Sequence, residues 1–207
     1  MIAEKEIDRA AAALRRGDVI VYPTETLYGL GVDATVPEAV KRLIALKGRA
    51  ETKGISVLVG DISDAAELID GGLMPPGARQ LAEAFWPGPL TVVVPAASGV
   101  VGALLGPSGG VGLRCSPDPV CARLLAAAGR PLTSTSANPA GEPPAADAEC
   151  ARRYFGDRVA AYLDDGPRAG SAASTVVEFL DGSAYLRRAG ALSPERISEI
   201  VPLTTEV

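Results

Sequence analysis

The sequence predicts an α/β fold with a mixed sheet, on three observations. Short apolar runs that read as buried strands alternate with stretches of helical periodicity. The last two runs, STVVEFL and AYLRRA, are joined by Asp181-Gly182, a strong hairpin signal that makes at least one pair of strands antiparallel. No internal repeat and no linker-like stretch divides the 207 residues, so 1–207 read as one domain.

The elements follow in order. Ile7, Ala11 and Leu14 share a helical face that stops at Gly17. VIVY at 19–22 reads as a buried strand ended by Pro23, running into the polar turn of YPTETLYGLG. Thr35 can cap a helix that starts at Pro37, shows Val40, Leu43, Ile44 and Leu46 on its apolar side, and ends at Gly48. ISVLV at 55–59 is a strand, and Asp61 or Ser63 opens a short helix. Pro76 opens the next, through Leu81 and Phe85. WPGP at 86–89 turns the chain into the strand LTVVV at 90–94. GVGLR at 110–114 is a strand, and Pro117–Ala128 a helix with Pro119 in its first turn. A short strand at 131–135, a helix at 147–155 and a strand at 159–165 precede the hairpin. Ser193-Pro194 starts the final helix.

Composition excludes several function classes. A net charge of −5 and a pI near 4.9 disfavour a generic nucleic-acid binder, although a basic pocket can still hold an anion. The chain has no His and three Cys at spacings that fit no metal pattern, so no protein metal site is expected and His-dependent nucleophilic systems are excluded. Free thiols imply a reducing, cytoplasmic setting, and the charged start MIAEKEIDRA does not read as a signal peptide. Residues 84–113 carry no charge, but their prolines and glycines argue against a membrane span.

The usual nucleotide signatures, GxxxxGK[ST] and GxGxxG, are absent. Phosphate handling would fall to Lys, Arg, hydroxyls and backbone N–H groups. Lys47 follows Ile44 by three residues, Leu43 by four and Val40 by seven, which puts it on the buried side of its helix. There it either favours the helix C-terminus or serves a pocket with Arg49 and Lys53. TSTSANPAGEPP at 133–144 is an ordinary polar turn or a loop offering donors to an anion. Arg114 ends an uncharged strand, where it is a ligand for an anion or a salt bridge at the sheet rim.

Seven motifs then occur in order over residues from about 5 to 200. They are PTETLYGLG, Lys47-Gly48-Arg49, WPGPLT, VGLR, Ser136-Ala137-Asn138, Ser174-Thr175 and LRRAG. Together they resemble the YrdC-like family of threonylcarbamoyl-AMP synthases, in its short form without the extra C-terminal domain.

The resemblance implies a twisted, open sheet with a concave, locally basic face. It implies an enzyme that makes threonylcarbamoyl-AMP and pyrophosphate from L-threonine, bicarbonate and ATP, with Mg²⁺ carried by the ATP. The product would pass to a tRNA threonylcarbamoyl transferase complex acting at position 37, and tRNA itself would bind weakly if at all. Matched residue by residue, Lys47, Arg49, Ser136 and Asn138 are the catalytic set. Lys53, Thr91 and Arg188 join them around ATP, and Thr26, Arg114 and Ser174 hold threonine. Two positions depart from the pattern: Leu58 stands where many relatives have His, and Ala50 where Pro often follows Lys-x-Arg. Two rival readings are an RNA-binding module of the same fold, against which the acidic balance weighs, and a paralogue handling a related carbamoyl-adenylate.

Overall fold

The computed structural model describes residues 2–48, 54–168 and 172–204. Among these, ten strands form one mixed sheet in the order β10-β9-β8-β4-β5-β3-β6-β2-β1-β7. In chain order the strands are β1 Ile20–Pro23, β2 Tyr28–Gly31, β3 Ser56–Leu58, β4 Leu90–Pro95, β5 Gly110–Arg114, β6 Leu132–Ser136, β7 Ala161–Tyr162, β8 Thr175–Leu180, β9 Ser183–Arg188 and β10 Leu203–Thr204. The helices are α1 Glu4–Arg15, α2 Pro37–Lys47, α3 Pro76–Phe85, α4 Pro119–Ala128, α5 Ala148–Phe155 and α6 Pro194–Ser198.

Alternation along the strands decides the two faces. Val21 of β1, Tyr28 and Leu30 of β2, Val57 of β3, Leu90 and Val92 of β4, and Val111 and Leu113 of β5 point one way into the larger core. That face is covered by α2, α3, α5 and α6, through residues such as Leu43, Leu81, Phe155 and Ile197. On the opposite face, Ile20, Tyr22, Leu58 and Leu132 meet the apolar sides of α1 and α4 in a second core. α1 and α4 cover only one end of it. Ser56, Thr91, Gly112, Arg114 and Glu178 lie on the remainder and line cavities.

Local chemistry accounts for most boundaries. Gly48 closes α2 in the left-handed region at φ 62°, as a C-terminal glycine can. Asp147 caps α5 by accepting a hydrogen bond from the Cys150 N–H at 2.6 Å. The β8–β9 turn has Asp181 at φ 49° and Gly182 at φ 78°, the two positive angles a tight hairpin needs.

Several expectations are corrected. Beyond the polar turn that the sequence suggests, Tyr28–Gly31 forms a strand of its own, β2, which pairs antiparallel with both β1 and β6. Thr35 does not cap α2. The N-cap is Val36, while the Asp33 carboxylate takes both the Thr35 N–H and its hydroxyl. Neither Asp61 nor Ser63 opens a helix: Asp61 accepts from the N–H groups of Ser63 and Asp64 in a turn, and short 3₁₀ segments follow at Ala66–Leu68 and Asp70–Gly72. α4 starts at Pro119 rather than Pro117, capped by Asp118. Only Ala161–Tyr162 of the run at 159–165 pairs as a strand.

Candidate active site

A cavity of about 520 Å³ opens where the uncovered face meets the loops after β1 and β6. A second, of about 530 Å³, adjoins it and shares Gly54, Ile55, Ser56 and Arg188. Their walls hold three groups of polar side chains.

The first group is the loop after β6. Lys47 is 5% exposed, as its helical spacing requires. Its ammonium donates to the carbonyl oxygen of Ser136 at 2.6 Å, and to both the carbonyl and the Oδ1 of Asn138 at 3.0 Å. Ser136 Oγ donates to Asn138 Oδ1 at 2.6 Å, and Asn138 Nδ2 donates to the Glu142 carbonyl. The carbonyl of Lys47 in turn accepts from the Ala140 N–H at 2.8 Å. Lys47 therefore fixes the Ser136-Ala137-Asn138 turn and lends it positive charge. Lys47 also lines the cavity itself.

The second group is the corner made by the turn between β1 and β2. Thr24 organises that turn: its hydroxyl donates to the Leu27 carbonyl at 2.7 Å and accepts from the Thr26 N–H at 3.2 Å. This presents Thr26 to the cavity. Arg114, at the end of β5, is 7% exposed. Its Nη2 donates to Thr26 Oγ1 at 3.2 Å and to the Glu25 carboxylate. The other Glu25 oxygen accepts from Ser116 Oγ. Arg114 Nε is buried without a hydrogen-bond partner among the described residues.

The third group joins β4 and β9 through the residue that precedes β8. Ser174 and Thr91 share a hydroxyl–hydroxyl hydrogen bond of 2.9 Å. Arg188 donates to the Ser174 carbonyl from Nε at 3.0 Å and from Nη2 at 2.8 Å, and to Ser174 Oγ at 3.1 Å. Burial, and after it the positive charge of Arg114, lowers the Arg188 pKa from its ordinary value. Arg188, partly desolvated and bonded to the neutral groups of Ser174, is a ready receptor for an anion, whereas Arg114 already faces the Glu25 carboxylate.

Comparison with known proteins decides the kinship. The family model Sua5/YciO/YrdC, described as telomere recombination, matches residues 12–190. The chain belongs to the Sua5/YciO/YrdC family. A member from Chromohalobacter salexigens, named threonylcarbamoyl-AMP synthase, is 42% identical over 86% of this chain and 95% of its own. Another of that name, from Halorhodospira halophila, is 38% identical over 88% of this chain and 94% of its own. The solved structure of P. abyssi Sua5 complexed with L-threonine superposes with a TM-score of 0.91 at 31% identity. It covers 97% of this chain, and this chain spans 58% of that longer one.

Within this Sua5/YciO/YrdC chain, the motif-bearing residues converge. Thr26, Lys47, Arg114, Ser136, Asn138, Ser174 and Arg188 all line the first cavity, and Thr91 and Arg188 the second. Arg49, Ala50 and Lys53 lie outside the described residues. Leu58 is fully buried among Ile20, Tyr22, Val120 and Leu132, so its side chain packs in the second core and does not line a cavity. Ser56, two residues earlier on the same face, lines both cavities instead. Sequence reasoning missed Glu25, although a carboxylate between two threonines at a strand end was visible. It also missed Arg168, which donates to the Thr24 carbonyl at 3.0 Å and pairs with Asp118 at 2.9 Å, tying the segment after β7 to the threonine-rich turn.

Proposed function

We propose that this chain is a threonylcarbamoyl-AMP synthase, which joins L-threonine, bicarbonate and ATP into threonylcarbamoyl-AMP and pyrophosphate. The observation that carries the reading is one cavity lined together by Thr26, Lys47, Arg114, Ser136, Asn138, Ser174 and Arg188. The Thr26, Arg114 and Ser174 corner suits a small zwitterion. The Lys47-supported Ser136–Asn138 turn suits phosphates, and Arg188, hydrogen-bonded to Ser174 and lining both cavities, adds a cation for them. Membership of the family, its synthase-named members and the L-threonine complex of P. abyssi Sua5 support it.

In this reading Arg114 receives the threonine carboxylate by charge-assisted hydrogen bonds. Thr26 and Ser174 offer hydroxyls to the rest of the amino acid. The threonine amine adds to bicarbonate with loss of water, giving a carbamate. A carbamate oxygen then attacks the α-phosphorus of ATP; the new O–P bond forms as the bond to the β-phosphate breaks, and pyrophosphate leaves. The residues need only position the reactants and stabilise phosphate charge, which fixed cations and a rigid turn do without a His base. Ser136 and Asn138 orient the phosphates, Arg188 contacts ATP, and the second cavity with Thr91 takes the nucleoside end. Arg49 and Lys53 are assigned to the phosphates by their motif positions. Mg²⁺ enters with ATP as part of the substrate.

The product is a reactive mixed anhydride, so a separate tRNA threonylcarbamoyl transferase complex is the expected consumer. No helix among the described residues is long and apolar enough to cross a membrane, which fits work in the cytoplasm. Incubating the protein with Mg²⁺-ATP, L-threonine and bicarbonate tests the proposal by mass spectrometry. The expected product has the mass of threonylcarbamoyl-AMP; AMP formation without that adduct would refute the reading.

A further inference from the structure

The second oxygen of Glu25 explains why this carboxylate is held as it is. One oxygen meets Arg114 and the other is fixed by Ser116 Oγ, which also accepts from the Asp118 N–H at 3.2 Å. Asp118 is itself paired with Arg168. Glu25 is thus locked against Arg114 by a network of Ser116, Asp118 and Arg168, and neither it nor these three residues line either cavity. Both partners are well shielded, with side chains 8% and 18% exposed, so their interaction is weakly screened by salt.

This arrangement meets a problem of the site. Arg114 and Arg188 face the same cavity, and ATP and pyrophosphate carry several negative charges. An unmodulated Arg114 would attract phosphate more strongly than a singly charged carboxylate, because Coulomb attraction grows with ligand charge. Every negative charge brought to Arg114 also meets the Glu25 carboxylate. That opposition is mild for a zwitterion, whose ammonium is attracted to Glu25, and severe for a polyphosphate.

We propose that Glu25 is a specificity-determining, positioning residue: it pairs with Arg114 so that this corner accepts an amino-acid zwitterion and rejects phosphate. Arg188 carries no such guard among its described contacts, which all run to Ser174, and is left for ATP. The inference rests on the synthase reading for the identity of the zwitterion, but the guard itself is a property of the Glu25–Arg114 pair.

The test is calorimetric binding of inorganic pyrophosphate and of L-threonine to the full chain, as wild type, Glu25→Gln and Glu25→Gln/Arg114→Gln. The Gln keeps the shape and removes the charge; its Oε1 can still accept from Arg114, while its Nε2 must donate to Ser116 Oγ instead of accepting from it. Pyrophosphate should bind Glu25→Gln about tenfold more tightly than wild type, the scale set by one favourable charge contact. The double variant should lose that gain. Saturating pyrophosphate should leave wild-type L-threonine affinity within about twofold and weaken it about tenfold in Glu25→Gln. Equal pyrophosphate affinity in wild type and Glu25→Gln, or a gain that survives Arg114→Gln, overturns the proposal. A merely structural role for Glu25 would weaken both ligands together, which also overturns it. If Glu25→Gln fails to fold by circular dichroism, Ser116→Ala, which loosens the carboxylate and also releases the Asp118 N–H, should give a smaller gain of the same sign, and no gain there refutes the idea. A wild type that binds pyrophosphate but not L-threonine would sink the synthase reading, while the pyrophosphate comparison still decides the role of Glu25.

Discussion

The Lys47 ammonium is bonded twice to Asn138, at 3.0 Å to its backbone carbonyl and at 3.0 Å to its side-chain Oδ1. A buried lysine therefore serves as the keystone of a turn that lines the cavity. Lys47→Met keeps the bulk of the stem but takes from the Asn138 carbonyl the donor described for it, while the Ser136 carbonyl keeps the Asn138 N–H and Asn138 Oδ1 keeps Ser136 Oγ. The expected loss is about 2 kcal/mol of stability, the usual penalty for a buried acceptor left unpaired. Turnover should fall at least about tenfold because the turn is no longer fixed. Urea denaturation and pyrophosphate release measure the two effects, and unchanged values in both would remove Lys47 from the account.

Ser174 links the threonine corner to the ATP side, through Thr91 Oγ1 and Arg188. Ser174→Ala removes both side-chain bonds but leaves the carbonyl that holds Arg188. KM for L-threonine should rise about tenfold, a single hydrogen bond's worth, with KM for ATP moving less. Arg188→Gln should show the reverse pattern. Initial-rate kinetics with each substrate varied in turn would expose a swap of these patterns.

Gly190 follows β9 where two backbones cross. A Cβ there would lie 2.2 Å from the Ala173 carbonyl oxygen and 2.6 Å from the Thr175 nitrogen. Neither atom can give way like a flexible side chain, so the segment carrying Ser174 must shift. Gly190→Ala should destabilise by roughly 2 kcal/mol, within the range for overpacking. It should also raise KM for L-threonine, whereas Gly99→Ala, with nothing within 4 Å of its Cβ, should do neither. Thermal melts of the two variants side by side check this.

The cysteines give a test of the core. Burial pushes the Cys121 thiol up to about 12 from an ordinary 9.0. A raised folded-state pKa means this thiol's stabilising contribution is complete below pH 9.0 and is lost as pH climbs through about 12. At pH 8 the thiolate fraction is on the order of 10⁻⁴, so native alkylation should be very slow. Cys115 is also buried and its thiol is raised by burial. Cys150 is only partly buried. Peptide mapping after iodoacetamide should find Cys150 modified first; early modification of Cys121 would contradict the packing of α4.

Much of this was readable in the chain because it rests on local chemistry. Leu90–Val94 and the Asp181-Gly182 hairpin follow from apolar runs and a turn that demands positive φ. Lys47 was placed on the buried side by its spacing from Val40, Leu43 and Ile44 alone. β2 escaped because YGLG is half glycine. Its strand character comes from its neighbours, with the Tyr22 ring lying where a Gly31 Cβ would stand, 2.7 Å from Cε1. The Glu25–Arg114 pair spans 89 positions of sequence, and no spacing rule reports such a contact. Thr35 resembled a helix cap, but Asp33 offered a stronger acceptor two residues earlier.

The central claim is that one cavity joins a threonine corner to a phosphate-binding turn. Pyrophosphate release from Mg²⁺-ATP, with bicarbonate present and the amino acid varied, tests it most directly. The account predicts release that depends on L-threonine and bicarbonate together, with little response to D-threonine or L-valine. Release that is indifferent to the amino acid supplied, or absent with L-threonine, would contradict it.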